Sequence, residues 1–193
     1  MPEPRVGVAA LLLASGRGSR FDATGRLNKL CQLLPDGRPV IAASAANLLA
    51  AGLSVTVVAP SDPRLASALA ALELNWCENL EPDRGMGHSI ALGVSSTAHA
   101  AGWLIALADM PYISPHTIAQ VAMAIQTVAI AAPCYRGERG HPVAFSTAMK
   151  QSLEDLDGDA GARSVLQDRL VTLVETDDCG ILRDIDRPQD LQQ

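Results

Sequence analysis

At 193 residues, 48% of them hydrophobic, the chain is long enough for one domain with a sizeable core, and its composition excludes a disordered polymer. A formal net charge of −6 with only 3% aromatic residues argues against nucleic acid as a partner and against base-stacking platforms. No apolar run approaches a membrane span, Met1-Pro2-Glu3-Pro4-Arg5 has no signal-peptide pattern, and Cys31, Cys77, Cys134 and Cys179 show no CxxC spacing. The expectation is a cytoplasmic protein with reduced thiols and no membrane association.

Residues Val6 to Ala14 form an apolar run with no polar face, which predicts a strand buried on both sides. It empties into Ser15-Gly16-Arg17-Gly18-Ser19-Arg20, a loop of small residues and cations, with Asn28-Lys29-Leu30 beyond it. Pro39 to Ala51 reads as a helix closed by Gly52, and Ser54 to Ala59 as a β-branched strand. Asp62-Pro63 supplies an N-cap and first-turn proline for a helix over Arg64 to Leu72, followed by a strand over Leu74 to Cys77. A helix is predicted over Gly87 to Ala100, burying Ile90, Leu92 and Val94, then a strand over Trp103 to Ala108. Ser114-Pro115 caps a helix to about Gln126; strands follow at Val128 to Ala132 and, across the Gly-rich turn Arg136 to Gly140, at Pro142 to Phe145. Helices near Thr147 to Leu156 and Ala160 to Gln167, strands near Val171 to Glu175 and Ile181 to Ile185, and a short helix from Pro188 complete the chain.

This alternation predicts an α/β fold of three layers, α/β/α and Rossmann-like, with a mostly parallel central sheet and one antiparallel excursion near Arg136 to Phe145. Ligands of such sheets sit at the carboxyl ends of strands, so chemistry belongs immediately after them. The first loop has backbone N–H groups and fixed cations suited to a polyphosphate; a solvated turn is the alternative. There is no Walker A string, and Gly16-x-Gly18-x-x-Phe21 lacks the third glycine of a dinucleotide fingerprint.

Leu13-Ala14-Ser15-Gly16-Arg17-Gly18-Ser19-Arg20-Phe21 with Asn28-Lys29-Leu30 resembles the L-A-A-G-x-S-x-R-M-G…K-L signature of nucleotidyltransferases that activate small phosphorylated metabolites. Gly85-Met86-Gly87-His88-Ser89 through Gly93, Leu107-Ala108-Asp109-Met110-Pro111, Tyr135 through Val143, Gly158-Asp159-Ala160-Gly161-Ala162-Arg163 and Asp184-Ile185-Asp186-Arg187-Pro188-Gln189-Asp190-Leu191 extend it nearly end to end. Within that superfamily the chain looks most like the molybdenum-cofactor cytidylyltransferases. Ser15, Gly18 and Asp22 depart from the signature's alanine, serine and glycine, and the loop between Arg20 and Lys29 is longer than the pattern.

The resemblance implies magnesium-dependent transfer of a nucleotidyl group, from CTP or GTP, to a phosphorylated acceptor such as Mo-molybdopterin, with release of pyrophosphate. A molybdoenzyme or its chaperone is an implied partner. A sugar or polyol phosphate as acceptor, and a non-catalytic nucleotide- or cofactor-binding protein of the same fold, are the alternatives. The implied halves are about 1–110 for the nucleotide and 111–193 for the acceptor.

Carried over residue by residue, Arg20, Lys29 and Asp109 are catalytic. Ala14, Ser15, Gly16, Arg17, Gly87 and Ser89 hold the nucleotide, and His141, Asp159 and Arg163 meet the acceptor. Asp109 and Asp186 ligate magnesium, which asks for hard oxygen donors. Several alternatives stay open: an N-cap role for Asp186, Asp184 as the second ligand, N-capping by Asp159, and a capping role for Ser89. His141 reads as a turn residue or acceptor contact rather than a general base, since a phosphate nucleophile is already anionic. Ser15, where guanylyl relatives carry glycine, favours cytosine over a purine.

Overall fold

A computed structural model describes residues 7–16, 18, 20–22, 27–167 and 169–192. Strand β1 (Ala9–Leu13) is buried along its whole length, as an unbroken apolar run requires; Val6 lies outside the described residues. It is flanked in parallel by β2 (Ser54–Ala59) and β4 (Gly102–Leu107), and β3 (Asn75–Glu78) adds to β2. The sheet continues through β7 (Val143–Ser146), antiparallel to β4, to β5 (Ile130–Tyr135), which carries the two-residue β6 (Glu138–Arg139) and the parallel edge strand β8 (Thr172–Glu175). The strand order is 3-2-1-4-7-5, with β6 and β8 both on β5. The antiparallel excursion is therefore a strand inserted between two parallel halves of one sheet.

Period-two alternation splits the core in two. Ala10 and Leu12 of β1 face one cluster with α1 (Val40–Ala50), α2 (Pro63–Leu69) and α4 (Pro115–Ala124), while Ala9, Leu11 and Leu13 face another with α3 (Met86–Ser96), α5 (Lys150–Glu154) and α6 (Arg163–Gln167). Three layers result. Asp62 and Ser114 cap α2 and α4, their side chains accepting from Arg64 N and Thr117 N, with proline in each first turn. Gly52 closes α1 at φ +80°, and all four cysteines are free thiols. Among the described residues, no helix is long and apolar enough to cross a membrane.

One expected strand is absent. Ile181 to Ile185 forms no ladder; Cys179–Leu182 is a 3₁₀ turn, and the chain then runs extended to Asp186. The Asp178 carboxylate accepts Gly180 N at 2.9 Å and Ser114 N at 2.8 Å, and this local satisfaction of backbone donors competes with strand pairing. Asp186 thus follows an irregular segment rather than a strand.

Candidate active site

The carboxyl ends of β1, β3 and β4 open on one edge of the sheet. Leu13 pairs with Leu107, which sets the loop after β1 beside Asp109 after β4. Asp109 is held from behind: Ser44 Oγ donates to Ala108 O at 2.9 Å, and Asn47 Nδ2 to Pro111 O and Ile113 O at 2.9 and 3.0 Å. Lys29 opens a 3₁₀ turn (Lys29–Cys31) whose cap, Asn28, accepts Leu30 N at 3.0 Å and donates to Asp62 at 3.3 Å. Buried Leu30 pins that turn.

From there the Lys29 ammonium reaches Asp109 Oδ2 at 2.6 Å and Asp186 Oδ1 at 3.3 Å, with its side chain only 11% exposed. Arg20, largely in solvent, donates to Asp186 Oδ2. Ile185, fully buried, donates its N–H to Asp109 O at 2.8 Å, and so brings Asp184 and Asp186 to Asp109 from either side of one anchor. The N–H groups of Asp186 and Arg187 both donate to Asp190 Oδ2, at 3.0 and 2.7 Å. Asp190 is the cap there, and the Asp186 carboxylate is committed to Arg20 and Lys29.

Asp109, Asp184 and Asp186 each offer a carboxylate oxygen within 4.8 Å of the others, a donor set that fits a hard divalent cation. Burial, then the neighbouring Asp186 and Asp109 charges, push the Asp184 carboxyl up from its ordinary range.

Two cavities meet at this cluster. One, about 600 Å³, is bounded by Ala14, Ser15, Gly16, Gly85 and Ser89; the other, about 720 Å³, by His141, Arg139, Asp184, Asp186, Ala160 and Arg163. Arg20, Lys29, Asp109 and Asp159 line both. Of the residues expected at the nucleotide, Ala14, Ser15 and Ser89 line only the first of these cavities; of those expected at the acceptor, His141 and Arg163 line only the second, while Gly16 and Asp159 line both. Gly87 lines neither cavity; its N–H donates to Gly158 O at 2.8 Å, and a Cβ there would come within 2.6 Å of Asp157 O. Arg17 lies outside the described residues.

Among the described residues, the buried His141 Nδ1 has no hydrogen-bond partner, and the His141 backbone N–H donates to Ile181 O at 3.1 Å. Burial holds the imidazole below its ordinary pKa, assisted by Arg139 and opposed by Asp109. Ser89 is buried, and Ser15 and Ser89 both accept from the side-chain amide of Asn79. Sequence reasoning missed Asn79, Arg139 and Asp190. Asn79 stands immediately after β3, where the strand-end rule could have found it, and Asp190 lies inside the last quoted motif.

The sequence model of the family described as "MobA-like NTP transferase domain" matches residues 10–174. Among characterised proteins, the purine catabolism protein PucB of Bacillus subtilis is 34% identical over 123 residues, 61% of this chain and 58% of PucB. The nicotine blue oxidoreductase of Paenarthrobacter nicotinovorans is 29% identical over 192 residues, 93% of this chain and 92% of that one. A nucleotidyl transferase from Methanothermobacter, Mth528, superposes with a TM-score of 0.82 at 24% identity, covering 95% of this chain and 94% of that one. This last likeness shows the shared fold.

Proposed function

The chain belongs to the MobA-like NTP transferase domain family, a family of nucleotidyltransferases, and on that premise we propose that it transfers CMP from CTP to the phosphate of a molybdopterin-type acceptor. The observation that carries this reading is the charged seam of Lys29, Arg20, Asp109 and Asp186 between two adjoining cavities. An acceptor phosphate oxygen forms a bond to the α-phosphorus of CTP, the bond to the bridging oxygen of the β-phosphate breaks, and pyrophosphate leaves with that electron pair. The nucleophile is anionic, so the residues have alignment and charge to supply rather than a base.

In this reading CTP occupies the cavity of Ser15 and Ser89, and the acceptor the cavity of His141, Asp159 and Arg163. Lys29 and Arg20 lie where a triphosphate would cross the seam, and follow negative charge onto the departing pyrophosphate. Asp109 and Asp186, with Asp184, would hold magnesium, which when bound adds Lewis-acid neutralisation of phosphate oxygens. Ser15, where glycine would open room for a purine, supports cytosine.

Similarity over nearly the whole chain to a protein named an oxidoreductase favours one second reading, a redox reaction on the same fold. The experiment separating them incubates the purified protein with magnesium, CTP or GTP, and either a molybdopterin-type or a polyol phosphate. Pyrophosphate release with CTP and the molybdopterin-type acceptor is the expected result. Nucleotide binding without pyrophosphate for every acceptor would make the protein a binder. In a parallel incubation with NADH or NADPH and a quinonoid dye as electron acceptor, loss of the reduced cofactor in step with dye reduction, with no pyrophosphate formed in the first, would select the redox reading.

A further inference from the structure

Asn79 is 1% exposed and lines neither cavity, yet it grips both hydroxyls on the wall of the cavity assigned to the nucleotide. Its Nδ2 donates to Ser89 Oγ at 3.0 Å and to Ser15 Oγ at 3.3 Å, while its Oδ1 accepts Glu81 N at 2.9 Å. That third bond fixes which way the amide points. A backbone N–H only donates, so a flipped amide would set two donors against each other.

Each serine, receiving an N–H from Asn79, sends its own proton elsewhere. Ser15 Oγ donates to Val58 O at 3.2 Å, and Ser89 Oγ donates to Gly85 O at 3.3 Å. A hydroxyl has one proton and two lone pairs. With the proton on a carbonyl and one lone pair on Asn79, what remains for a ligand is a lone pair. The two hydroxyls therefore offer the cavity acceptors and no donor.

We propose that Asn79 is a positioning residue that sets this wall to select bases carrying an exocyclic amino group over bases carrying a keto oxygen in its place, cytosine over uracil above all. The inference rests on the nucleotide occupying the Ser15 and Ser89 cavity. An amino group donates to the waiting lone pairs. A keto oxygen meets them lone pair to lone pair and enters the site unpaired, which is the costly case for a buried polar atom. Without Asn79 the hydroxyls are free to rotate and donate, and the distinction fades.

The test compares CTP with UTP, and ATP with GTP, as donors to one acceptor in the wild type, Asn79→Ala, Asn79→Leu and Asn79→Asp, with melting temperatures recorded. The wild type is expected to prefer CTP over UTP in kcat/KM by roughly tenfold or more, the scale of one or two hydrogen bonds lost to an unpaired group. Asn79→Ala is expected to remove most of that ratio. General loosening of the site would lower both rates and leave the ratio standing. Asn79→Leu fills a similar volume without donors, so it is expected to lose the ratio as well, and it serves if the alanine variant does not fold. Asn79→Asp, whose carboxylate can take the serine protons and leave their lone pairs to the cavity, is expected to keep it.

An unchanged CTP to UTP ratio in folded Asn79→Ala or Asn79→Leu would overturn the role of Asn79 and leave the cytidylyl reading intact. A wild type that uses UTP as well as CTP would overturn the acceptor wall without any variant. A wild type preferring ATP over both CTP and GTP would overturn the cytidylyl reading while upholding the wall.

Discussion

The ammonium of Lys29 lies 2.6 Å from Asp109 Oδ2, across 80 residues of chain, and within 3.3 Å of Asp186 Oδ1 as well. A cation placed between two carboxylates at the seam of two cavities is poised to change partners when a polyanion arrives. Lys29→Ala is therefore expected to lower kcat rather than raise KM, since a charge that follows pyrophosphate acts most in the transition state. The loss expected is about 2–4 kcal/mol in activation free energy. Asp109→Asn, nearly isosteric, should keep the fold and cut turnover by roughly two orders of magnitude. Steady-state kinetics of both variants check this; a Lys29→Ala enzyme with only its KM changed would reduce Lys29 to a ground-state contact.

Asp190 accepts the N–H groups of both Asp186 and Arg187, so it orients the Asp186 carboxylate without touching a ligand itself. Asp190→Ala is expected to raise the magnesium concentration for half-maximal rate by roughly tenfold, the scale seen when a partner behind a metal ligand is removed. Asp190→Asn retains an acceptor oxygen and should recover most of the loss. An unaltered magnesium dependence in Asp190→Ala would contradict this positioning role of Asp190.

Gly87 is a packing position. A Cβ there would meet the Asp157 backbone at 2.6 to 2.9 Å, and backbone cannot swing away as a side chain can. Gly87→Ala is expected to destabilise the fold by about 1–3 kcal/mol through overpacking, read as a fall in melting temperature. Gly16 supplies the contrast, because nothing lies within 4 Å of its added Cβ and it lines both cavities. Gly16→Ala should leave stability unchanged and weaken nucleotide binding.

The buried imidazole of His141 sets one limb of the stability profile. Its pKa is depressed in the folded state, so between the ordinary histidine value of about 6.5 and that lower value the unfolded chain takes up a proton that the folded chain refuses. This contribution is fully present above about pH 6.5 and is lost as pH falls through that window. Thermal melts from pH 8 to pH 5 should show it, and His141→Asn should flatten this limb. Equal pH slopes in the two proteins would contradict it.

Much of this was legible because burial leaves a plain mark on sequence. Leu11 and Leu12 belong to a run with no polar face, and Asp62-Pro63 and Ser114-Pro115 announce two helix starts that the structure contains. Asp109 was readable as a carboxylate stranded after an apolar strand. Ile181 to Ile185 misled because buried anchors at Ile181 and Ile185 mimic a strand, while the decisive bond from Gly180 N to Asp178 is local side-chain chemistry with no periodic signature. Asn79 was hidden for another reason: asparagine after a strand is also the commonplace choice for a turn, and only its two serine partners, 64 and 10 residues away, distinguish it.

The transfer itself is followed most directly with CTP labelled at the α-phosphate, magnesium and a molybdopterin-type acceptor. The label is expected to move onto the acceptor as pyrophosphate is released, with CTP preferred over GTP by more than roughly tenfold, and to stay on CTP when Asp109 is Asn. Label that remains on CTP with the wild-type enzyme, or transfer that proceeds better from GTP, would contradict the cytidylyl reading of this site.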